Sequence, residues 1–172
     1  IYAAGDCAES INLVCDHPYW MPLGSTANKM GRVAGANIAG GDSKFPGVLG
    51  TAIVKVFDLA VGRTGISERE AKEAGFNPVS ATVTTPARPA YYPGGGEVTL
   101  KLIGDRKSQK LLGAQAVGDS SVDKVIDTAA ASLMGKITVP ELTTLDLAYS
   151  PPYAPALGAV IVAAQVLEGK LL

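Results

Sequence analysis

The sequence predicts an α+β fold: an antiparallel sheet with helices on one side over residues 48–172, behind a shorter N-terminal piece at residues 1–45. Two observations carry this. From residue 48 the local patterns run strand, strand, helix, strand, strand, strand, helix, helix, helix. Hairpins followed by clustered helices build an antiparallel sheet, whereas a parallel sheet needs alternating strands and helices. The second observation is the polar, proline-containing break at Asp42–Gly47, which marks a domain boundary. A sheet with one helix-free face keeps apolar surface to cover, and a partner subunit is one natural cover.

Each element has a local cause. Ile1–Gly5 is a short apolar run ending at Gly5-Asp6, which suits a buried strand stopping at a ligand crevice. Residues 7–23 hold Pro18 and Pro22 with little periodicity and read as a loop. Residues 25–39 read as a helix capped by Ser25 or Thr26, with Ala27, Met30, Ala34 and Ile38 on one face. Gly31 and Gly35 inside it cost about 1 kcal/mol each against Ala, so they are expected to permit close packing.

Two apolar runs, Thr51–Phe57 and Leu59–Val61, bend at Asp58. Ser67-Glu68-Arg69-Glu70 is a capping box, starting a short helix that ends at Gly75. Val79–Thr84 alternates and is rich in Val and Thr, as strands are. Glu97–Ile103 and Leu111–Val117 form a hairpin across the polar turn 104–110. Residues 121–134 give the clearest helix, with Val122, Val125, Ile126, Ala129, Ala130, Leu133 and Met134 on one stripe and Gly135 as the stop. Val139–Leu145 is a second short helix, and Ala156–Leu167 follows the Pro151-Pro152 break as the last.

Composition removes several function classes. A net charge of -1 favours neither nucleic acid nor an anionic membrane. The longest apolar run, Ala154–Leu167, is broken by Pro155, Gly158 and Gln165 and falls short of the ~20 residues of a membrane span. No basic segment with a following apolar run opens the chain, and two cysteines make no disulfide framework, so a cytoplasmic protein is expected. Cys7, Cys15 and His17 offer three zinc ligands without an evident fourth, so no metal site is expected. The chain opens at Ile1 inside an apolar run, which fits an excised segment better than a natural start.

Two features could meet a ligand. A carboxylate at a strand end, Asp6, can accept from a ribityl or ribose hydroxyl. The amides at the start of the helix at Ser25–Ala27 can face an anion or a polar ring edge. Taken alone, each is as well explained as a cap. Together, IYAAGDCAE followed by PLGSTANKMGRVAGANIAG resembles the pyridine nucleotide-disulfide oxidoreductases. So do VKVFDLAVGRTGISEREAKEAGF, YYPGG, LLGAQAVG and LDLAYSPPYAP, which resemble the dimerisation domain of that family, and the likeness covers nearly the whole chain.

The resemblance implies several things. Residues 1–45 become the C-terminal fragment of an FAD-binding α/β domain, and 48–172 the dimerisation domain of a homodimer. Gly5 and Asp6 fall at the ribityl contact of FAD, and Ser25, Thr26 and Ala27 against the flavin ring. The sequence is most similar to the single-cysteine branch, which holds coenzyme A-disulfide reductases, persulfide reductases and NADH oxidases. The dithiol branch sends a histidine from this domain into the partner's site, and the only histidine here, His17, precedes the domain. In the coenzyme A-disulfide reductases, tyrosines of the YYPG and AYxPPY segments reach the partner's active cysteine. They match Tyr91 (or its neighbour Tyr92) and Tyr149, with Tyr153 structural. A phenol can donate to a leaving thiolate.

The implied parent uses NAD(P)H and FAD to reduce coenzyme A disulfide or a persulfide, and it has neither nucleic-acid nor membrane partners. The same resemblance admits an NADH oxidase or peroxidase, or a stand-alone dimerisation module. Neither a GxGxxG fingerprint nor the family's redox-cysteine segment occurs here, so this segment alone is expected to be inactive and not to retain FAD. Cys7 is read as a buried structural thiol. Residues 1–45 are expected to fray where the strand lacks sheet neighbours.

Overall fold

A computed structural model describes all of residues 1–172. Its centre is a five-stranded, wholly antiparallel sheet in the order β3-β4-β7-β6-β5, formed by β3 (Ala52–Val56), β4 (Leu59–Gly65), β5 (Pro78–Pro86), β6 (Glu97–Asp105) and β7 (Leu111–Gly118). Ahead of it stand β1 (Ser10–Ile11), β2 (Pro18–Tyr19) and the helix α1 (Gly24–Ile38). The bend foreseen at Asp58 is a two-residue hairpin turn in which Phe57 takes a left-handed φ of 53°. The Ser67 box caps α2 (Glu68–Glu73) in both directions, and Gly75 leaves it at φ 84°. The 97–117 hairpin forms with the expected strands, extended by two residues on β6 and one on β7.

Two helices, α3 (Val122–Met134) and α5 (Ala159–Leu171), cover one face. Alternation sends Val98, Leu100 and Leu102 of β6 and Ala114 and Ala116 of β7 towards them, and all are buried. Val122, Ile126, Ala129 and Leu133 of α3 and Val160, Ala163 and Leu167 of α5 close the core. Each fully buried Leu or Ile contributes about 1.5–3 kcal/mol relative to exposure. Gly62 of β4 sits where α3 comes closest: a Cβ there would stand 2.8 Å from Ile126 Cγ1. The last helix begins three residues later than expected and runs four further. The short α4 (Val139–Leu142) is capped by Thr138 and stops before Leu145. Met134, assigned to the buried stripe, is exposed at the last position of α3.

The opposite face is covered only at one end. There Ile66, Ala71, Ile103 and Leu112 form a second, smaller cluster beneath α2. Glu68 of α2 bonds Lys101 and Ser80, and Glu70 pairs with Arg63 at 3.2 Å, so two ion pairs border the cluster. Beyond them Val54, Val61 and Val117 lie side by side in register and remain exposed, as do Val56, Phe57 and Leu59 at the hairpin tip. The helix-free face foreseen in the sequence is this one.

Residues 1–47 differ most from the sequence reading. Ile1–Gly5 forms no strand; Ile1, Tyr2 and Ala3 are exposed because no neighbouring strand accepts their backbone bonds. The loop expected at 7–23 contains the small β1–β2 hairpin. It is anchored by the fully buried Asn12, whose Oδ1 accepts from Val14 N–H at 2.9 Å, and by Leu13 and Val48, whose N–H and C=O bond at 2.9 Å. Helix α1 forms as expected, but of its assigned face only Met30 is buried, with Ala27 and Ala34 half-buried and Ile38 exposed. Gly31 and Gly35 meet nothing within 4 Å, so the close approach inferred for them has no counterpart within this chain.

Candidate functional site

The loop joining β5 to β6 is short and glycine-rich. Ala87 N–H bonds Gly96 C=O at 2.8 Å, and Tyr92 N–H bonds Pro89 C=O at 2.9 Å, so the Ala90–Gly95 segment closes as a compact turn. Gly94 takes a φ of 75°, which a side chain would strain. Tyr91 stands on this turn, 74% exposed. The segment between α4 and α5 turns at Ser150, whose carbonyl accepts from both Tyr153 and Ala154 N–H. Tyr149, just before that turn, is 52% exposed and lines the mouth of a cleft of about 330 Å³ between α3 and residues 143–161.

These two loops lie 58 positions apart in sequence, yet the fold brings the two phenols together. The nearby Tyr149 hydroxyl, with a smaller effect of local burial, raises the Tyr91 pKa above its usual value. The Tyr91 hydroxyl therefore keeps its proton at neutral pH, as a donor must. Tyr92 points elsewhere, beneath the Arg88 guanidinium at 6.0 Å, which separates it from this pair. Tyr153 is exposed and its side chain packs in no core cluster, so the structural role expected for it has no support in packing.

A second group gathers at the start of α1. Gly5 has a φ of 90°, and a Cβ built on it would lie 3.5 Å from the Ala27 Cβ, so the glycine–aspartate pair and the helix start are neighbours. Asp6 presents an exposed carboxylate, while its backbone carbonyl accepts from Trp20 Nε1 at 2.8 Å. The cap expected from Ser25 or Thr26 does not form: Leu23 occupies the N-cap and no side chain bonds the first turn. The first helical bond runs from Ala27 N–H to Leu23 C=O, which leaves the amides of Gly24, Ser25 and Thr26 without helical acceptors. Free amides, a small residue and a nearby carboxylate suit a flat polar ring with a hydroxylated arm. Cys7 is exposed, not buried, because the strand that would have covered it is absent; its Sγ lies 3.5 Å from Ala4 C=O. Cys7, Cys15 and His17 do not gather into a cluster of metal ligands.

Residues 51–161 match the dimerisation domain of the pyridine nucleotide-disulphide oxidoreductases. The chain belongs to that family. Among its relatives is the NAD(P)H coenzyme A polysulfide/persulfide reductase of Pyrococcus horikoshii, 46% identical over 98% of this chain and 38% of its own. A coenzyme A disulfide reductase of Staphylococcus aureus is 38% identical over 90% of this chain and 35% of its own. The solved NAD-dependent persulfide reductase from A. fulgidus superposes with a TM-score of 0.95 at 45% identity, over 99% of this chain and 32% of its own. The chain thus spans well under half the length of these enzymes. No helix is long and apolar enough to cross a membrane.

One connection escaped sequence reasoning. Burial raises the pKa of Tyr19, the nearby Arg63 guanidinium opposes it, and the Glu70 carboxylate adds to the rise. Burial alone would raise Glu70, but the Ser67 bonds and Arg63 outweigh it and hold the carboxyl below its usual range. Glu70 thus lies near Tyr19 of the N-terminal segment. Its capping role was visible in the sequence, but a partner 51 positions away left no local signal.

Proposed function

We propose that this chain is the dimerisation segment of a homodimeric flavin-dependent NAD(P)H:disulfide oxidoreductase, and that its parent reduces coenzyme A disulfide or a coenzyme A persulfide. In this reading residues 1–45 are the end of the FAD-binding domain and 48–172 the dimerisation domain. The open sheet face and the exposed N-terminal segment are surfaces that the rest of the parent dimer covers. FAD, when bound, passes the reducing equivalents of NAD(P)H to sulfur. Gly5 and Asp6 hold its ribityl arm, and the first turn of α1 (Ser25, Thr26 and Ala27) lies against its ring. Tyr149 and Tyr91 are the catalytic residues of this segment. Their hydroxyls are offered to the redox cysteine of the partner subunit, where they donate to the thiolate released when the sulfur–sulfur bond breaks. The segment by itself is inactive and does not retain FAD. A cytoplasmic protein without nucleic-acid or membrane partners fits its near-neutral charge.

The meeting of Tyr91 and Tyr149 carries this reading. Two exposed phenols on separate loops, set near one another, form a donor pair with no evident structural use. Tyr149→Phe in the parent tests it: turnover of coenzyme A disulfide falls while flavin reduction by NAD(P)H keeps its rate. Unchanged disulfide turnover sinks the role.

A further inference from the structure

Arg88 is the only charged residue in the 87–96 loop, and it takes part in none of the chain's ion pairs. It is held inside its own loop instead. Its guanidinium carbon lies 6.0 Å from the centroid of the Tyr92 ring, and Nη1 donates to Pro93 C=O at 3.4 Å. The chain then folds back over it: a Cβ on Gly95 would stand 3.3 Å from Arg88 Cβ, and one on Gly94 3.5 Å from Nη1. Three successive glycines, Gly94–Gly96, would otherwise leave the turn many conformations. Tyr91 has no packing of its own to fix it, being 74% exposed. The course of the loop backbone therefore sets where the Tyr91 phenol stands, and Arg88 acts on that backbone.

We propose that Arg88 is a positioning residue: with its guanidinium set over the Tyr92 ring and bonded to the Pro93 carbonyl, it shapes the 91–96 turn that presents the Tyr91 phenol towards Tyr149. This rests on the reading of the tyrosine pair as the thiolate donors. A planar guanidinium suits the task because it stacks and donates in one plane, which a lysine ammonium does not reproduce.

The test uses the full-length dimeric parent with coenzyme A disulfide as substrate and four variants: Arg88→Met, Arg88→Lys, Tyr91→Phe and the Arg88→Met/Tyr91→Phe double. Arg88→Met is expected to lower kcat about tenfold, the scale of one lost stacking and one lost hydrogen-bond contact. KM stays within about twofold, because uniform substrate binding is untouched. In the Tyr91→Phe background the same change costs nothing further, and Arg88→Lys recovers part of the loss. Should Arg88→Met not accumulate as a folded flavoprotein, Arg88→Lys with and without Tyr91→Phe decides on the same criterion. An equal kcat loss in both backgrounds, or a raised KM with normal kcat, overturns the proposal. So does a normal Arg88→Met beside an impaired Tyr91→Phe, which leaves the tyrosine reading standing. If Tyr91→Phe itself turns over normally, the tyrosine reading falls first and takes the clamp with it.

Discussion

Residues 48–172 and residues 1–47 are made of similar amino acids and meet opposite fates. In the larger part Leu100, Leu102, Ile126 and Leu167 are wholly or almost wholly buried, and both short helices carry reciprocal caps. In the smaller part Ile1, Tyr2, Ile11, Trp20 and Ile38 are exposed, and α1 starts without a side-chain cap. The larger part builds its own core because its five strands all pair with one another and two helices cover one face of the sheet. The smaller one holds an apolar run with no adjacent strand and a helix with one buried residue.

The largest effect should separate the two parts directly. Leu100→Ala removes a side chain at zero exposure and should cost about 3 kcal/mol in chemical denaturation, whereas Ile38→Ala should cost about 0.5 kcal/mol or less. Comparable losses would erase the distinction. Next is Tyr149→Phe in the parent, expected to lower kcat on coenzyme A disulfide about hundredfold, at the lower end of what a positioned proton donor contributes.

Asp105 gives a smaller effect with a pH signature. Burial would raise its pKa, but bonds from the Ser108 hydroxyl and the Asn77 and Ser108 amides outweigh that and lower it. A lowered folded-state pKa stabilises above the ordinary carboxylate range, and the contribution is lost as pH falls through the folded value. Asp105→Ala should therefore cost about 2 kcal/mol at pH 7, and the gap from the native chain should close on acidification below about pH 4. A gap independent of pH would remove the carboxylate from the account.

The smallest effect is the most discriminating about the open helix. Gly31 has empty space around it here, so Gly31→Ala should stabilise this chain by about 0.5–1 kcal/mol through helix propensity. If α1 packs closely within the parent's flavin domain, the same change should lower flavin retention there. Stabilisation of both proteins would show that the glycine answers to no neighbour.

Much of this was legible in the sequence where cause and effect are local. The Ser67 box, the Phe57-Asp58 turn and the alternation of β5, β6 and β7 each depend on residues within a few positions. The errors arose where the deciding partner is distant. The Ile1–Gly5 run has strand composition but no strand beside it, and the α1 stripe predicts a buried face that only tertiary context can bury. The tyrosines were found through family resemblance; neither YYPGG nor AYSPPY says by itself that residues 91 and 149 meet. Arg88 was missed because one arginine in a glycine-rich loop reads as an ordinary surface charge.

The central claim is that Tyr149 serves the partner's cysteine, and subunit exchange in the parent tests it most directly. One subunit carries Tyr149→Phe with its redox cysteine intact; the other lacks the cysteine and keeps Tyr149. Each homodimer is impaired. Mixed dimers should recover about half of native disulfide turnover, since one site regains both groups across the interface. If the mixed dimers turn over no faster than the impaired homodimers, the tyrosine acts within its own subunit or not at all, and the account is contradicted.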